Sequence, residues 1–130
     1  SHKDIPYLAT NPDWVCPTDQ PTILVDCGSI CKCIEGATGR KPDLVIGKPN
    51  KDILLGVIGR KGLGPDEVAM VGDRLYTDVK TALNAGATGV LVLSGESTLQ
   101  TVAEAAPGEK PPLVCQSIEE LGSLLEESHK

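Results

Sequence analysis

From residue 43 onward, short apolar runs alternate with segments whose apolar residues recur at helical spacing. Leu44-Val45-Ile46 stops at Gly47, Val68-Ala69-Met70-Val71 at Gly72, Gly89-Val90-Leu91-Val92-Leu93 at Ser94, and Leu113-Val114-Cys115 at Gln116. Unbroken runs of this kind, bounded by glycine or polar residues, predict strands buried on both faces. Between them Ile53, Leu54, Val57 and Ile58, then Val79, Ala82 and Leu83, then Leu99, Val102 and Ala106 fall on helix faces, and Ile118, Leu121, Leu124 and Leu125 make a last one. That last helix opens with Ser117-x-x-Glu120, where each side chain can satisfy a backbone N–H at the helix start. Gly86 is a stop for the second helix. Strand and helix alternating four times predict a parallel sheet with helices packed on its faces.

Residues 1–42 follow another pattern. Pro6, Pro12, Pro17 and Pro21 break the first part into short extended pieces, with residues 5–9 and 22–25 as candidate strands. Ile30, Cys33, Ile34 and Ala37 fall at i, i+3, i+4 and i+7, which predicts a short amphipathic helix ending near Gly39 and puts Cys33 in the core. The change of pattern places a boundary near Lys41-Pro42, separating a segment 1–42 from a segment 43–130.

Composition narrows the partners. Leu, Ile and Val together number 34 of 130 residues and Phe is absent, so the chain is globular with an aliphatic core. The formal charge of -6 argues against nucleic acid or an anionic membrane as main partner, because both require clustered Lys and Arg. No apolar run approaches the roughly 20 residues of a membrane span, and Ser1-His2-Lys3-Asp4 lacks the shape of a signal peptide. A cytoplasmic protein is the expectation. The odd set of Cys16, Cys27, Cys31, Cys33 and Cys115 reads as thiols rather than a disulfide framework, and Cys27-x3-Cys31-x-Cys33 lacks the paired spacing of zinc sites.

Two strand ends carry candidate chemistry. The run 68–71 delivers Gly72-Asp73 to the C-terminal edge of a parallel sheet, where such sheets bind ligands, and Asp78 follows at the start of the next helix. Two carboxylates in one strand-to-helix turn suit Mg2+, which keeps several waters and takes one or two protein carboxylates. Alternatively, Asp73 simply ends a strand and Asp78 decorates a helix N-terminus, a placement worth about 0.3–1 kcal/mol. Gly47-Lys48-Pro49 ends the preceding strand, and an ammonium beside a Mg2+ site fits binding of a phosphoryl group.

These residues carry a resemblance. Gly47-Lys48-Pro49, the stretch VGDRLYTD at 71–78 and NAGATGVLV at 84–92 resemble the third and fourth motifs of the haloacid dehalogenase (HAD) superfamily of phosphohydrolases. ATNPD at 9–13, DCGSI at 26–30 and ATGRKPD at 37–43 are similar to the cap-to-core passage of its NagD-type, p-nitrophenylphosphatase-like branch. The resemblance implies an α/β fold: part of a HAD-like Rossmannoid parallel sheet with helices on both faces, preceded by the remnant of an α/β cap. It implies a Mg2+-dependent phosphatase acting through an aspartyl-phosphate on a small phosphorylated molecule. Lys48 would screen the nucleophile and phosphoryl oxygens, Asp73 would help hold Mg2+, and Asp78 would support the metal or its waters. Asn11 and Asp13 would lie in the cap.

The sequence departs from the family at the nucleophile. The first-strand motif DxDG, which supplies the nucleophile and the general acid, does not occur. Its only imitation, Ile23-Leu24-Val25-Asp26-Cys27-Gly28-Ser29, has Cys27 where a second aspartate is required. Asp26 there reads better as the cap of the helix that follows, and Thr10 and Ser94 as loop hydroxyls. The chain therefore reads as half of a larger design, inactive alone, with the alternative of a non-catalytic domain that binds Mg2+, a phosphorylated ligand or a protein partner. Without the family's first strand, the strand at 68–72 would keep an open edge and pair with another copy.

Overall fold

The computed structural model describes residues 4–130. Ser1, His2 and Lys3, on which the signal-peptide expectation turns, lie outside the described residues. The chain divides into two units, Ser1–Asn50 and Lys51–Lys130.

The first unit contains β1 (Leu8–Ala9), β2 (Val15–Pro17), β3 (Ile23–Val25), α1 (Cys27–Thr38) and β4 (Leu44–Val45). β1 and β4 pair in parallel, with Leu8 opposite Leu44 and Ala9 opposite Val45. Asp43 latches this pair: its carboxylate accepts the Tyr7 N–H at 2.7 Å, and its own N–H donates to the Tyr7 carbonyl at 2.7 Å. The Tyr7 N–H and then Arg40 hold the Asp43 carboxyl below its ordinary range. β2, which the sequence pattern does not predict, forms an antiparallel hairpin with β3. Thr18 Oγ1 ties the hairpin turn by donating to the Thr22 carbonyl at 2.6 Å.

α1 begins and ends where its pattern predicts, at Asp26 and Gly39. Its apolar positions are another matter. None of its residues is buried, Ile30 is 53% exposed, and Cys33 lies on the surface rather than in a core. Strands of two or three residues give a twelve-residue helix too little surface to pack against.

The second unit contains α2 (Asp52–Lys61), β5 (Ala69–Gly72), α3 (Lys80–Ala85), β6 (Thr88–Val92), α4 (Leu99–Glu104), β7 (Leu113–Cys115) and α5 (Ile118–Ser128). Its three strands form one parallel sheet in the order β5-β6-β7. β6 is central, and its two faces carry two cores. Val90 and Val92 pack with Cys115 and Leu121 of α5. On the opposite face Gly89 lies against Val79 and Ala82, and Ala82, Ala85 and Ala87 pack with Leu54, Val68 and Met70. Successive strand residues point to opposite faces, so helices cover both sides of the sheet. The alanines let α3 approach the strands closely. α5 starts at Ser117, whose hydroxyl accepts the Glu120 N–H at 3.3 Å, while the Glu120 carboxylate returns to the Gln116 N–H instead of that of Ser117.

Two expectations about the sheet are corrected. The run at 44–46 does not join it, because β4 takes β1 as partner and groups with the first unit. β5 is not buried on both faces. It has one neighbour, β6, so its residues alternate between exposed and half-buried, and Val71 is exposed. Among the described residues no helix is long and apolar enough to cross a membrane.

Candidate functional site

The sheet of the second unit delivers its chemistry at the carboxyl end of β5. Asp73 is the first residue past the strand, at the edge where open parallel sheets present ligand-binding groups. From Arg74 the chain enters a π-turn over Leu75–Val79 before α3 begins. The Val79 N–H donates to the Arg74 carbonyl at 3.2 Å, a bond spanning five residues where an α-helix spans four. Such wide turns recur at functional sites.

The wide turn carries Asp78 back over the strand end. A Cβ placed on Gly72 would fall 2.3 Å from both Cβ and Cγ of Asp78, so only glycine leaves room for this carboxylate. Asp78 is buried at 6% exposure. Its Oδ2 accepts the Arg74 N–H at 3.3 Å and the Thr77 hydroxyl at 3.4 Å. Thr81, fully buried one turn later, donates its hydroxyl to the Thr77 carbonyl at 2.6 Å and fixes the turn from below.

Asp73 is held by a second loop, residues 94–97, which follows β6. Its Oδ2 accepts the Glu96 N–H at 2.9 Å, and its carbonyl accepts the Ser97 N–H at 3.0 Å. A Cβ on Gly95 would come 2.2 Å from Asp73 Oδ2, so the loop backbone lies directly against the carboxylate. Glu96 closes the clamp by accepting the Tyr76 hydroxyl at 2.8 Å and pairing with Arg74 Nε at 2.7 Å. Glu96 thereby holds the Arg74 guanidinium more firmly protonated. Both partners are substantially exposed, so the pair contributes at most about 1 kcal/mol and serves to position the two loops.

Asp73 and Asp78 are thus brought into one turn, each with its Oδ2 fixed by a backbone N–H. Among the described residues no cluster of three or more His, Cys, Asp or Glu forms a metal site. A pair of hard oxygen donors suits a cation that retains several of its waters, as Mg2+ does. Lys48 belongs to the first unit, in a turn after β4 that Asn50 secures: its Nδ2 donates to the Val45 carbonyl at 2.6 Å and its N–H to the Gly47 carbonyl at 3.0 Å. Asn11 and Asp13 tie the end of β1 to α1, with Asn11 Nδ2 donating to Asp26 Oδ1 at 3.2 Å and the Gly28 N–H donating to the Asp13 carbonyl at 2.8 Å. Asp26 caps α1 through the Cys27 N–H at 2.6 Å. The sequence pattern does not single out Thr77 or the Gly95-Glu96-Ser97 loop. The signal was present, because this loop follows the strand paired with β5 and so reaches the same sheet edge.

In sequence and fold the chain is similar to known phosphatases. Residues 45–121 match the model of the HAD-hydrolase-like family. The chain is 36% identical over 96 residues to the ribonucleotide monophosphatase NagD of Escherichia coli, covering 74% of this chain and 36% of that protein. It is 41% identical over 91 residues to a dihydroxyacetone phosphatase of Corynebacterium glutamicum, covering 70% and 32%. Among solved structures, a 4-nitrophenylphosphatase of Thermotoga maritima aligns with a TM-score of 0.79 at 44% identity, over 93% of this chain and 45% of that one. A glycerol phosphate phosphatase of Mycobacterium tuberculosis, solved in complex with magnesium, aligns with a TM-score of 0.76 at 30% identity, over 88% and 34%. The chain therefore spans about a third of the curated relatives it matches.

The contact between Gly72 and Asp78 yields an expected outcome. Gly72→Ala forces the strand end and the π-turn apart and destabilises the chain by about 1–3 kcal/mol in urea unfolding. Gly56→Ala, in α2 where a Cβ meets nothing within 4 Å, stabilises it by about 0.5–1 kcal/mol. Equal effects of the two substitutions contradict the packing described.

Proposed function

Because the chain belongs to the HAD-hydrolase-like family, we propose that it supplies the metal-and-lysine part of a phosphomonoester hydrolase and is inactive by itself. The observation that carries this reading is the single wide turn that fixes Asp73 and Asp78 at the carboxyl edge of the sheet. These two carboxylates would hold Mg2+, which supplies positive charge against phosphoryl oxygens when bound. In this reading Lys48, carried by the first unit, is the residue that would supply an ammonium to phosphoryl oxygens. Charge stabilisation and positioning make up most of catalysis in phosphoryl transfer, so rigid anchoring of each carboxylate is the property that matters.

The substrate class is a small phosphorylated molecule. The relatives are named as a ribonucleotide monophosphatase, a dihydroxyacetone phosphatase and a glycerol phosphate phosphatase, a range that supports a phosphomonoester and leaves the rest of the molecule open. Residues 1–42 are read as the end of a substrate-selecting cap and residues 43–130 as later strands of the catalytic core. The 130 residues contain no DxDG nucleophile motif. Asp26, the one aspartate in a comparable run, is committed to capping α1.

In this reading the 130-residue chain produces no Mg2+-dependent hydrolysis of p-nitrophenyl phosphate above background. Turnover that Asp73→Ala abolishes would overturn it and point to a nucleophile within these residues. The open edge of β5 leads to a second expectation, self-association through strand pairing. Light scattering at micromolar concentration should give the mass of a dimer or larger, and a compact monomer would sink this part of the reading.

A further inference from the structure

The first turn of α1 holds a pair of thiols that phosphate chemistry does not use. Cys27 is the first residue of the helix and Cys31 lies one turn on, with the sulfurs 3.9 Å apart. Both are half-buried, and Cys31 lines an open cavity of about 280 Å³ together with Ala9, Asn11 and Gly28. The Asn11 backbone, then the Thr10 side chain and backbone, hold the Cys27 thiol below the ordinary range. The N-terminus of a twelve-residue helix acts in the same direction. Against Cys31 stands the Tyr7 hydroxyl, which is buried without a hydrogen bond of normal geometry. The neighbouring Cys31 thiol, with burial, pushes the Tyr7 phenol up to about 12.

We propose that Cys27 is an oxidation site for hydroperoxides and that Cys31 is its resolving thiol. A thiolate with an accessible second thiol at hand is the arrangement that favours reversible oxidation. In the first step the Cys27 thiolate attacks one peroxide oxygen. The S–O bond forms, the O–O bond breaks, and the departing oxygen takes a proton to leave as water or an alcohol. Sulfur is oxidised to the sulfenic acid and the peroxide is reduced. In the second step the Cys31 sulfur attacks the Cys27 sulfur. The S–S bond forms, the S–OH bond breaks, and hydroxide leaves as water with the Cys31 proton.

The backbone permits this closure. Residues four apart on a helix have Cα atoms roughly 6 Å apart, inside the roughly 4.4–6.8 Å span of disulfides. The Cys27 N–H is bonded to the Asp26 side chain and to no helical carbonyl, so the first turn can adjust while the sulfurs approach. The other thiols are placed differently. Cys115 is buried at 1% exposure and burial pushes its thiol up. Cys33 is two residues from Cys31 and faces another side of the helix.

The test treats the reduced chain with one equivalent of hydrogen peroxide and maps its cysteines by mass spectrometry. A Cys27–Cys31 disulfide is expected first in the native sequence and in Cys33→Ser. In Cys31→Ser a dimedone adduct accumulates on Cys27, and in Cys27→Ser peroxide consumption falls at least tenfold. Oxidation at Cys16 or Cys33 ahead of Cys27, or an undiminished rate in Cys27→Ser, overturns the proposal. Should a serine variant fail to fold, substoichiometric iodoacetamide labelling of the native chain decides the point. Cys27 must then be alkylated first, and preferential labelling elsewhere overturns the proposal.

Discussion

The close approach of the Asp78 carboxylate to the Gly72 backbone is the constraint on which the rest of the site depends. A buried carboxylate is tolerated only where donors meet it, and here the Arg74 N–H and the Thr77 hydroxyl do so. Both donors lie in the turn that the strand end itself initiates. A side chain at residue 72 or an ordinary α-helical turn would separate these partners. The sequence Gly72-Asp73-Arg74-Leu75-Tyr76-Thr77-Asp78 is thus a compact solution to one problem, holding two acidic groups still at the edge of a sheet.

Around that turn the second unit is built for rigidity. β6 is buried along nearly its full length and supports β5 in register, Val71 opposite Val90 and Gly72 opposite Leu91. The loop after β6 then reaches across to hold Asp73, so neighbouring strands fix neighbouring parts of the site. The first unit has short strands, and α1 keeps Ile30 and Ile34 exposed.

What was legible in the sequence follows from which forces are local. The Val90-Leu91-Val92 run was legible because burial on both faces leaves no polar alternation. The Asp26, Gly39, Gly86 and Ser117 boundaries were legible because capping is decided within a few residues. That Asp73 and Asp78 share one strand-to-helix turn is legible for the same reason. The partner of β4 was not legible, because strand pairing is set by segments far apart in the chain, here residues 8–9 and 44–45. The Glu96 contact to Asp73, 23 residues away, escaped for that reason as well. Cys33 was misplaced because helical spacing shows which residues share a face but not whether anything covers it. The spacing of Cys27 and Cys31 failed as a zinc motif, and its other meaning, two thiols on one helix face, emerged only once Asp26 fixed where the helix starts.

The central claim is that Asp73 and Asp78 together form the cation site of this chain, and its most direct measurement is Mn2+ binding followed by electron paramagnetic resonance with Mg2+ as competitor. The account predicts one weakly held Mn2+ per chain that Mg2+ displaces, lost in Asp73→Asn and in Asp78→Asn and retained in Cys27→Ser. Bound Mn2+ that survives in the Asp73→Asn/Asp78→Asn double variant would contradict it.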